Sequence, residues 1–360
     1  MKARTFMLLV AAASIAVVTL VVTGTSSARP AASVASPAAT AAPAQAPFKV
    51  ALVTDIGGLD DRSFNFLANK GLNDAKKKFG VQGRVFISKS DRDYVPNLST
   101  AARQGYNLII GVGFLMANSM ATVAKAFPRT KFAIVDNSGV KQKGNPTNIR
   151  GLLFREQEAG YLVGYLAARQ ITAKPFGGNI MLGAVGGLKI PPVDRFIAGY
   201  YAGAKKANPK VKVVHAYSQD FVDQAKCKEQ ALNMIANGAG VVFQVAGQCG
   251  LGVLSAAKER GVFGIGVDAD QGYLGQHVMT SATKKVDVAV LGTIGAAKAG
   301  GAKFTTNRDV IFGVKSGAVG YGKISNRISA KLKAEVEAIR KQIASGKIVV
   351  RAQAPPATTG

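Results

Sequence analysis

The chain has 360 residues, 48% of them hydrophobic, and carries a formal net charge of +26. This length and hydrophobic content predict a large buried core, more readily in two domains than in one. The basic residues are scattered, without a long basic block or interleaved aromatic residues, which argues against a nucleic-acid-binding protein. For an exported chain, the natural anionic neighbours of such a surface are the membrane face and cell-wall polymers.

The N-terminus predicts an export signal over residues 1–28. Lys2 and Arg4 precede the apolar run "FMLLVAAASIAVVTLVV", and "SSA" offers the small residues of a cleavage site. An uncleaved membrane anchor stays open as the alternative, because the run is nearly long enough to span a bilayer. No cysteine lies near this site, so we do not expect a lipoprotein. Residues 29–47, rich in Ala, Pro and Ser, predict a flexible linker, and residues 346–360 a flexible tail.

The remaining chain contains an internal repeat. "FKVALVTDIGG", "RVFISKSD", "NLIIGVG" and "TKFAIVDNS" are matched in order by "GGNIMLGAVGG", "VKVVHAYSQD", "GVVFQVAG" and "GVFGIGVDAD". Each apolar run is followed by a segment of helical periodicity, which is typical of parallel α/β architecture. We therefore predict two similar Rossmann-like lobes with a hinge between them. Asp55, Asp136 and Asp268 follow strands, and ligands of parallel sheets bind at those strand ends.

The turn that follows the first apolar run, "TDIGGLDDRSFN", is rich in glycine and aspartate, which are common in phosphate-binding and metal-binding loops. It lacks the glycine spacing of a phosphate loop, and its aspartates lack the spacing of a calcium loop. Asp60 and Asp61 suit the start of a helix, and Ser63 is a candidate cap by residue type. The chain has only two histidines and no nucleophile motif, so we predict no metal site, no cofactor and no enzymatic activity.

Since phosphate binding, metal binding and catalysis are excluded, we predict that this turn forms one wall of a ligand-binding cleft. Phe64 offers a face for stacking, and Asn65 can donate and accept hydrogen bonds at the edge of a heterocycle. Asp136 and Asp268 can accept bonds from ring N–H groups or sugar hydroxyls, and Lys284 adds a charged donor. The residues alone leave a second interpretation open, in which Phe64 belongs to the core and the aspartates cap helices.

Cys227 and Cys249 are the only cysteines of the chain. In an oxidising compartment they could form a disulfide. Two free, buried thiols are the alternative that the residues leave open.

Several segments in a fixed order carry a resemblance to a known family. They include "VALVTDIGGLDDRSFNFLANKGLNDA", "GGLKIPPVDRFIAGYYAGAK", "DFVDQAKCKEQAL", "VVFQVAGQCGLGVLSAAKE", "GVDADQ" and "VMTSATKKVDVAV". From about Phe48 to about Tyr321, the chain resembles the basic membrane protein family. These are substrate-binding proteins of ABC transporters, also described as purine nucleoside receptors. The resemblance implies a type I periplasmic-binding fold with an interlobe ligand cleft, and an ABC transporter permease as partner.

The resemblance also implies a role for individual residues. Phe64 and Phe221 would sandwich a nucleobase, with Asn65 and Asp136 on its edge. Asp268 and Lys284 would hold the ribose. Two further cleft positions are matched by Asp55 and Gly247.

Departures from the family pattern are informative as well. Family members often have glycine where Cys227 stands and Gly-Thr where "QCG" begins, so both cysteines occupy departing positions, which favours the disulfide. The first lobe is expected to comprise residues 48–155 with about 280–305, and the second residues 156–279 with about 306–345. A basic surface protein that binds anionic polymers is the competing hypothesis for function.

Overall fold

Two six-stranded sheets organise the chain in the computed structural model, which describes residue 24 and residues 46–356. The predicted export signal and most of the predicted linker lie outside the described residues. In chain order the strands are β1 (Lys49–Val53), β2 (Gln82–Phe86), β3 (Leu108–Gly111), β4 (Lys131–Val135), β5 (Ile149–Phe154), β6 (Met181–Gly186), β7 (Lys212–Tyr217), β8 (Ala239–Val245), β9 (Phe263–Asp268), β10 (Val278–Lys284), β11 (Arg308–Phe312) and β12 (Val319–Tyr321).

The helices of the described residues lie on both faces of the sheets. They are α1 (Phe64–Phe79), α2 (Tyr94–Arg103), α3 (Ala117–Ala126), α4 (Glu156–Ala173), α5 (Pro191–Ala207), α6 (Gln224–Ala236), α7 (Gly250–Glu259), α8 (Val286–Ala299) and α9 (Ala330–Ala344). Because helices cover both faces, the central strands are largely apolar, and every residue of β3, β6 and β8 is buried, including Gln244 of β8.

The predicted duplication is confirmed by the strand order. The first sheet runs β11-β5-β4-β3-β1-β2 and the second β12-β10-β9-β8-β6-β7, so five strands of each sheet follow the same order. All pairings are parallel except that of β12 with β10. We call the first sheet with its helices the first lobe, and the second sheet with its helices the second lobe.

The expected lobe boundaries are wrong at two crossings. The first lobe was expected to begin again at about residue 280, but β10 pairs with β9 in the second sheet up to Thr283, and its last residue, Lys284, pairs with β12 of the same sheet. The crossing comes only at Lys285, after which α8 packs on α1. The return was expected at about residue 306, but β11 still pairs with β5 in the first sheet. Val350, within the expected flexible tail, is buried in the core.

Glycines bring α4 and α5 into close contact beneath the second sheet. Gly160 and Gly164 on α4 face Gly199 and Gly203 on α5, and a Cβ at any of the four would overlap a backbone oxygen of the facing helix. Such spacing of small residues lets two helix backbones approach closely. The contact fixes Glu156 at the start of α4 against the first turns of α5.

Candidate functional site

A cavity between the lobes gathers every residue predicted to bind ligand. About 620 Å³ of space lies between its walls, a volume that includes open solvent. The predicted residues on its wall are Asp55, Phe64, Asn65, Asp136, Phe221, Gly247, Asp268 and Lys284. The wall also includes apolar residues that sequence reasoning did not select, among them Phe114, Val193 and Phe196.

Asp61 caps the helix that carries Phe64 and Asn65. Its carboxylate accepts hydrogen bonds from the backbone N–H groups of Ser63, Asn65 and Phe66, at 2.7 to 3.0 Å. The prediction that the Asp60-Asp61 pair supports the helix start is therefore confirmed for Asp61. Ser63 stands at the N-cap position, as its residue type predicted, but its side chain makes no capping hydrogen bond.

The Ser63 hydroxyl instead crosses the cleft. Oγ lies 2.9 Å from Oδ2 of Asp268 and 3.2 Å from the carbonyl oxygen of Val267, both in the second lobe. Ser63 is fully buried there. One carboxylate that faces the cavity thus also joins the two lobes.

Asn65 holds the turn that presents Asp55. Its Oδ1 accepts the backbone N–H of Asp55 at 3.0 Å, and its Nδ2 lies 3.4 Å from the carbonyl oxygen of Ile56. Only the weakly bonded Nδ2 can therefore turn to a ligand without releasing the turn. In this geometry Asn65 positions Asp55 more directly than it offers a base-edge contact.

Asp55 is fixed by groups from three elements. Tyr94 on α2 donates its hydroxyl to Oδ1, which also accepts the N–H of Ile56 at 2.8 Å. Gly113, with φ of 110°, lies so close that a Cβ there would overlap Oδ2. Burial raises the pKa of Asp55 to about 6, despite the hydrogen bond from Tyr94.

Asp136 and Asp268 are equivalent in the repeat and share an unusual backbone. Asp136 directly follows β4 and Asp268 ends β9, with φ of 67° and 60°, in the left-handed region that few non-glycine residues adopt. Such conformations cluster at ligand-binding sites. Burial raises the pKa of Asp268 to about 7, and that of Asp136 to about 6 despite the nearby ammonium of Lys284.

Lys284 is the centre of a buried ionic network. Its Nζ lies 2.6 Å from Oδ2 of Asp136 and 3.2 Å from Oε1 of Glu156, whose Oε2 accepts Nε of Arg195 at 2.7 Å. Nζ also lies 4.9 Å from the ring centroid of Phe64, within cation–π range. Burial alone would lower the pKa of Lys284, but the carboxylates around it outweigh burial and hold that pKa above its usual value.

Two phenyl rings reach the cavity from opposite lobes. Phe64 begins α1 in the first lobe, and Phe221 lies in the turn between β7 and α6 in the second. Gly187 admits the ring of Phe221, since a Cβ there would overlap it. Both rings pack partly against the core and also line the cavity, so Phe64 contacts the core, as the second interpretation expects, and faces the cavity as well.

The cleft is acidic although the chain is strongly basic. Five carboxylates lie in it or in its network, those of Asp55, Asp61, Asp136, Glu156 and Asp268, against the two cations Lys284 and Arg195. No group of metal-ligating side chains is found among residues 46–356. The arrangement offers hydrogen-bond acceptors and stacking faces, which suit an uncharged ligand rich in donors.

Comparison with known proteins identifies the family. A family model described as "ABC transporter substrate-binding protein PnrA-like" matches residues 48–354. The chain belongs to this PnrA-like family. It is 36% identical over 327 residues to the CD4+ T-cell-stimulating antigen of Listeria monocytogenes, which covers 84% of this chain and 88% of that protein.

Two further proteins are similar to this chain, one in sequence and one also in structure. A Lactococcus lactis protein named "ABC transporter nucleoside-binding protein BmpA" is 35% identical over 324 residues, covering 84% of this chain and 88% of its own. The crystal structure of an ABC transporter solute-binding protein from Aeropyrum pernix matches with a TM-score of 0.75 at 30% identity, covering 85% of this chain and 94% of that one. The predicted periplasmic-binding fold is thereby confirmed.

Family membership settles the broad class of the protein. Substrate-binding proteins of ABC transporters are not enzymes, so that prediction is confirmed, and a solute receptor is favoured over a polyanion-binding surface protein. A 36% identical relative from Pyrococcus horikoshii, matched over 285 residues (76% of this chain and 68% of that protein), is named a lipoprotein. The expectation that this chain is not a lipoprotein stays a prediction. Within residues 46–356, no helix has the length and hydropathy needed to cross a membrane.

Sequence reasoning missed the residues that hold the site together. Glu156 and Arg195 complete the network of Lys284, and Tyr94 and Gly113 fix Asp55. Glu156 could have been noticed, because it follows an apolar strand as the three strand-end aspartates do. Tyr94 gave no local signal, because its hydroxyl partner, Asp55, lies 39 positions away in the chain.

Proposed function

We propose that this protein captures a nucleoside, preferably a purine nucleoside, between its lobes and delivers it to the permease subunits of an ABC importer. The observation that carries the proposal is the arrangement of Phe64 and Phe221, one from each lobe, around a cavity edged by buried carboxylates. The name of the Lactococcus relative supports it, since that protein is a nucleoside-binding protein of an ABC transporter.

The base would lie between the two rings. Stacking of a nucleobase on an aromatic side chain contributes about 1–3 kcal/mol, and a purine offers the larger face. Asp136 would accept a ring N–H or amino group, because its Oδ1 is buried without a hydrogen-bond partner among the described residues. Asp55, and Asn65 through its Nδ2, would contact the same edge.

The ribose would lie against Asp268 and Lys284, beside Gly247. A lysine ammonium has three donors. Asp136 and Glu156 account for two of those of Lys284, which leaves one for a ribose hydroxyl. Asp268 would accept a second hydroxyl while keeping its bond from Ser63, so ribose recognition and lobe closure would share one carboxylate.

The acidic cleft predicts selection against phosphate. Placing a nucleotide phosphate among these carboxylates costs several kcal/mol through like-charge repulsion. We expect adenosine, guanosine or inosine to bind in calorimetric titration, and the matching 5′-monophosphate to bind at least about 100-fold more weakly. Added salt should barely change nucleoside affinity, whereas binding to a polyanion falls steeply with salt.

Two calorimetric outcomes would contradict parts of this proposal. Absence of heat with all purine and pyrimidine nucleosides, with folded protein verified by circular dichroism, would refute nucleoside binding. Equal affinities for a nucleoside and its monophosphate would leave nucleoside capture intact but would refute the charge argument.

Nucleoside affinity should rise with pH. Burial raises the pKa values of Asp55 and Asp136 to about 6 and of Asp268 to about 7, so the unliganded protein holds protons on these groups at pH 5. Ligand N–H and O–H donors favour the ionised carboxylates, and binding must therefore release protons. We expect Kd to fall by about tenfold or more between pH 5 and pH 8.

Calorimetry in buffers of different ionisation enthalpy measures this proton release. Asp268→Asn should reduce the number of protons released near pH 6.5, since the variant lacks one titrating group. The same groups affect folding in the opposite sense: their contribution to stability is present below about pH 4 and is lost as pH rises through 6 to 7, because the folded state binds the extra protons. An affinity that is constant from pH 5 to pH 8 would show that these carboxylates do not bind the nucleoside.

A further inference from the structure

The disulfide between Cys227 and Cys249 lies beside the ligand cavity. Cys227 is in the first turn of α6, and Cys249 directly precedes α7. Phe221 and Gly247 stand a few residues before these two cysteines, and both line the cavity. The bond therefore ties together two of the turns on the second lobe's side of the cleft, those that carry Phe221 and Gly247.

Global stability alone does not explain this position. Disulfides are most needed in small secreted domains that cannot bury enough apolar surface. This chain buries an extensive core across both sheets, and the two cysteines themselves lie inside a separate apolar cluster between α6 and α7. Gly252 already allows α7 to approach Gln224 of α6 closely, since a Cβ there would overlap the carbonyl oxygen of Gln224.

The direct contacts of the disulfide lead to Phe221. The backbone N–H of Cys249 donates to the carbonyl oxygen of Phe221 at 3.0 Å. Ser218, at the start of the same turn, has its Oγ 3.5 Å from Sγ of Cys249. Gly247, with φ of 56°, brings its backbone within van der Waals reach of Phe221, since a Cβ there would lie 3.5 Å from that carbonyl oxygen.

The segment between Phe221 and the disulfide has little else to hold it. Residues 222–226 are all exposed, whereas Cys227 and Cys249 are completely buried. Asp220 does order the turn locally, by accepting the N–H groups of Val222 and Asp223 and by pairing with the exposed ammonium of Lys226. Those bonds stay within the turn. The links from this turn to the one that carries Gly247 are the backbone bond from Cys249 to Phe221 and the disulfide, and the disulfide is the covalent one.

We propose that the Cys227–Cys249 disulfide is a positioning device that holds Phe221 ready for stacking, and that it raises nucleoside affinity by this means. Ordering a side chain before binding removes part of the entropic cost of association. This inference rests on the proposed function, because the ring is useful only if a flat ligand enters the cleft. The competing explanation is a bond that stabilises the fold without affecting the cleft.

The test compares two variants in which the packing of the second lobe is weakened at different places. One variant is C227A/C249A. The control is Ile235→Ala, which removes apolar contacts from the same cluster at the other end of α6 and leaves the disulfide intact. Adenosine, guanosine and inosine are titrated into each protein at a temperature where circular dichroism shows it to be folded, and dissociation rates are measured by stopped flow.

We expect C227A/C249A to raise Kd by about tenfold, which corresponds to about 1.4 kcal/mol, mainly through faster dissociation. Ile235→Ala should change Kd by less than about twofold. In a Phe221→Leu background, removal of the disulfide should have little further effect, because the ring it positions is gone. A Kd for C227A/C249A equal to that of the unaltered protein would overturn the inference.

Hydrogen exchange separates this inference from the proposed function. In the unliganded protein, amides of residues 218–223 and 247–250 should exchange faster in C227A/C249A than in Ile235→Ala. If none of the three nucleosides binds even the unaltered protein, the proposed function fails, and exchange alone decides whether the disulfide orders the Phe221 turn. Unchanged exchange in both segments would refute the positioning role.

Discussion

We expect Lys284→Met to lower the free energy of unfolding by about 3–5 kcal/mol at pH 8, the usual cost of removing one partner from a buried ion pair. The substitution keeps the length of the side chain but leaves Asp136 without a cation and Glu156 with only Arg195. Because burial already raises the pKa of Asp136 to about 6, a proton can replace the missing charge in acid, and the loss should be smaller at pH 5. Urea unfolding of the variant and of the unaltered protein at both pH values measures this loss of stability.

Lys70→Met is the matched control. Lys70 also contacts two carboxylates, at 2.8 Å to Asp74 and 2.9 Å to Asp287, but 47% of its side chain is exposed. Exposed ion pairs contribute about 0–1 kcal/mol, so this variant should be nearly as stable as the unaltered protein. Equal losses for the two variants, or a loss for Lys284→Met that does not depend on pH, would contradict the network described here.

Gly113→Ala should abolish most nucleoside binding. A Cβ at this position would overlap Oδ2 of Asp55, and the backbone has φ of 110° and ψ of 151°, a region almost confined to glycine. The backbone strain costs about 1–3 kcal/mol of stability. Displacement of Asp55 should add a loss of affinity of at least about tenfold, or about 1.4 kcal/mol. Calorimetry with the nucleoside that binds the unaltered protein measures this loss of affinity.

Gly105→Ala separates strain from displacement. Gly105 also has positive φ, 67°, but nothing lies within 4 Å of a Cβ built there. This variant should lose about 1–2 kcal/mol of stability from its left-handed backbone and keep its affinity. If Gly113→Ala bound nucleoside as well as Gly105→Ala does, Asp55 would have no place in the binding site.

The fold was predictable because local signals and the repeat agree. Short apolar runs alternate with helical segments, and the two halves repeat the same order, which the strand orders of the two sheets reproduce. The crossings between lobes were not predictable from the same signals. The apolar runs that became β10 and β11 could pair with either sheet, and only long-range pairing, with β9 and with β5, decides their place.

The residues of the site also fall into a group that was predictable from the sequence and a group that was not. Asp136 and Asp268 were predictable because strand-end positions of parallel sheets meet at one edge. Their supporting groups were not, since Arg195 and Tyr94 lie on helices and meet their carboxylate partners only through packing. Ser63 shows a third case: the residue type of a cap was recognised, but Asp61 took the backbone N–H groups and left the Ser63 hydroxyl for the opposite lobe.

The central claim is that a nucleoside is held between Phe64 and Phe221. A crystal structure of the protein grown with the nucleoside that binds most tightly in calorimetry tests it most directly. We predict the base between these two rings, Asp136 on its edge, and the ribose hydroxyls on Asp268 and Lys284. A nucleoside bound outside this cleft, for example in the surface groove lined by Arg62, Lys258 and His277, would contradict the account.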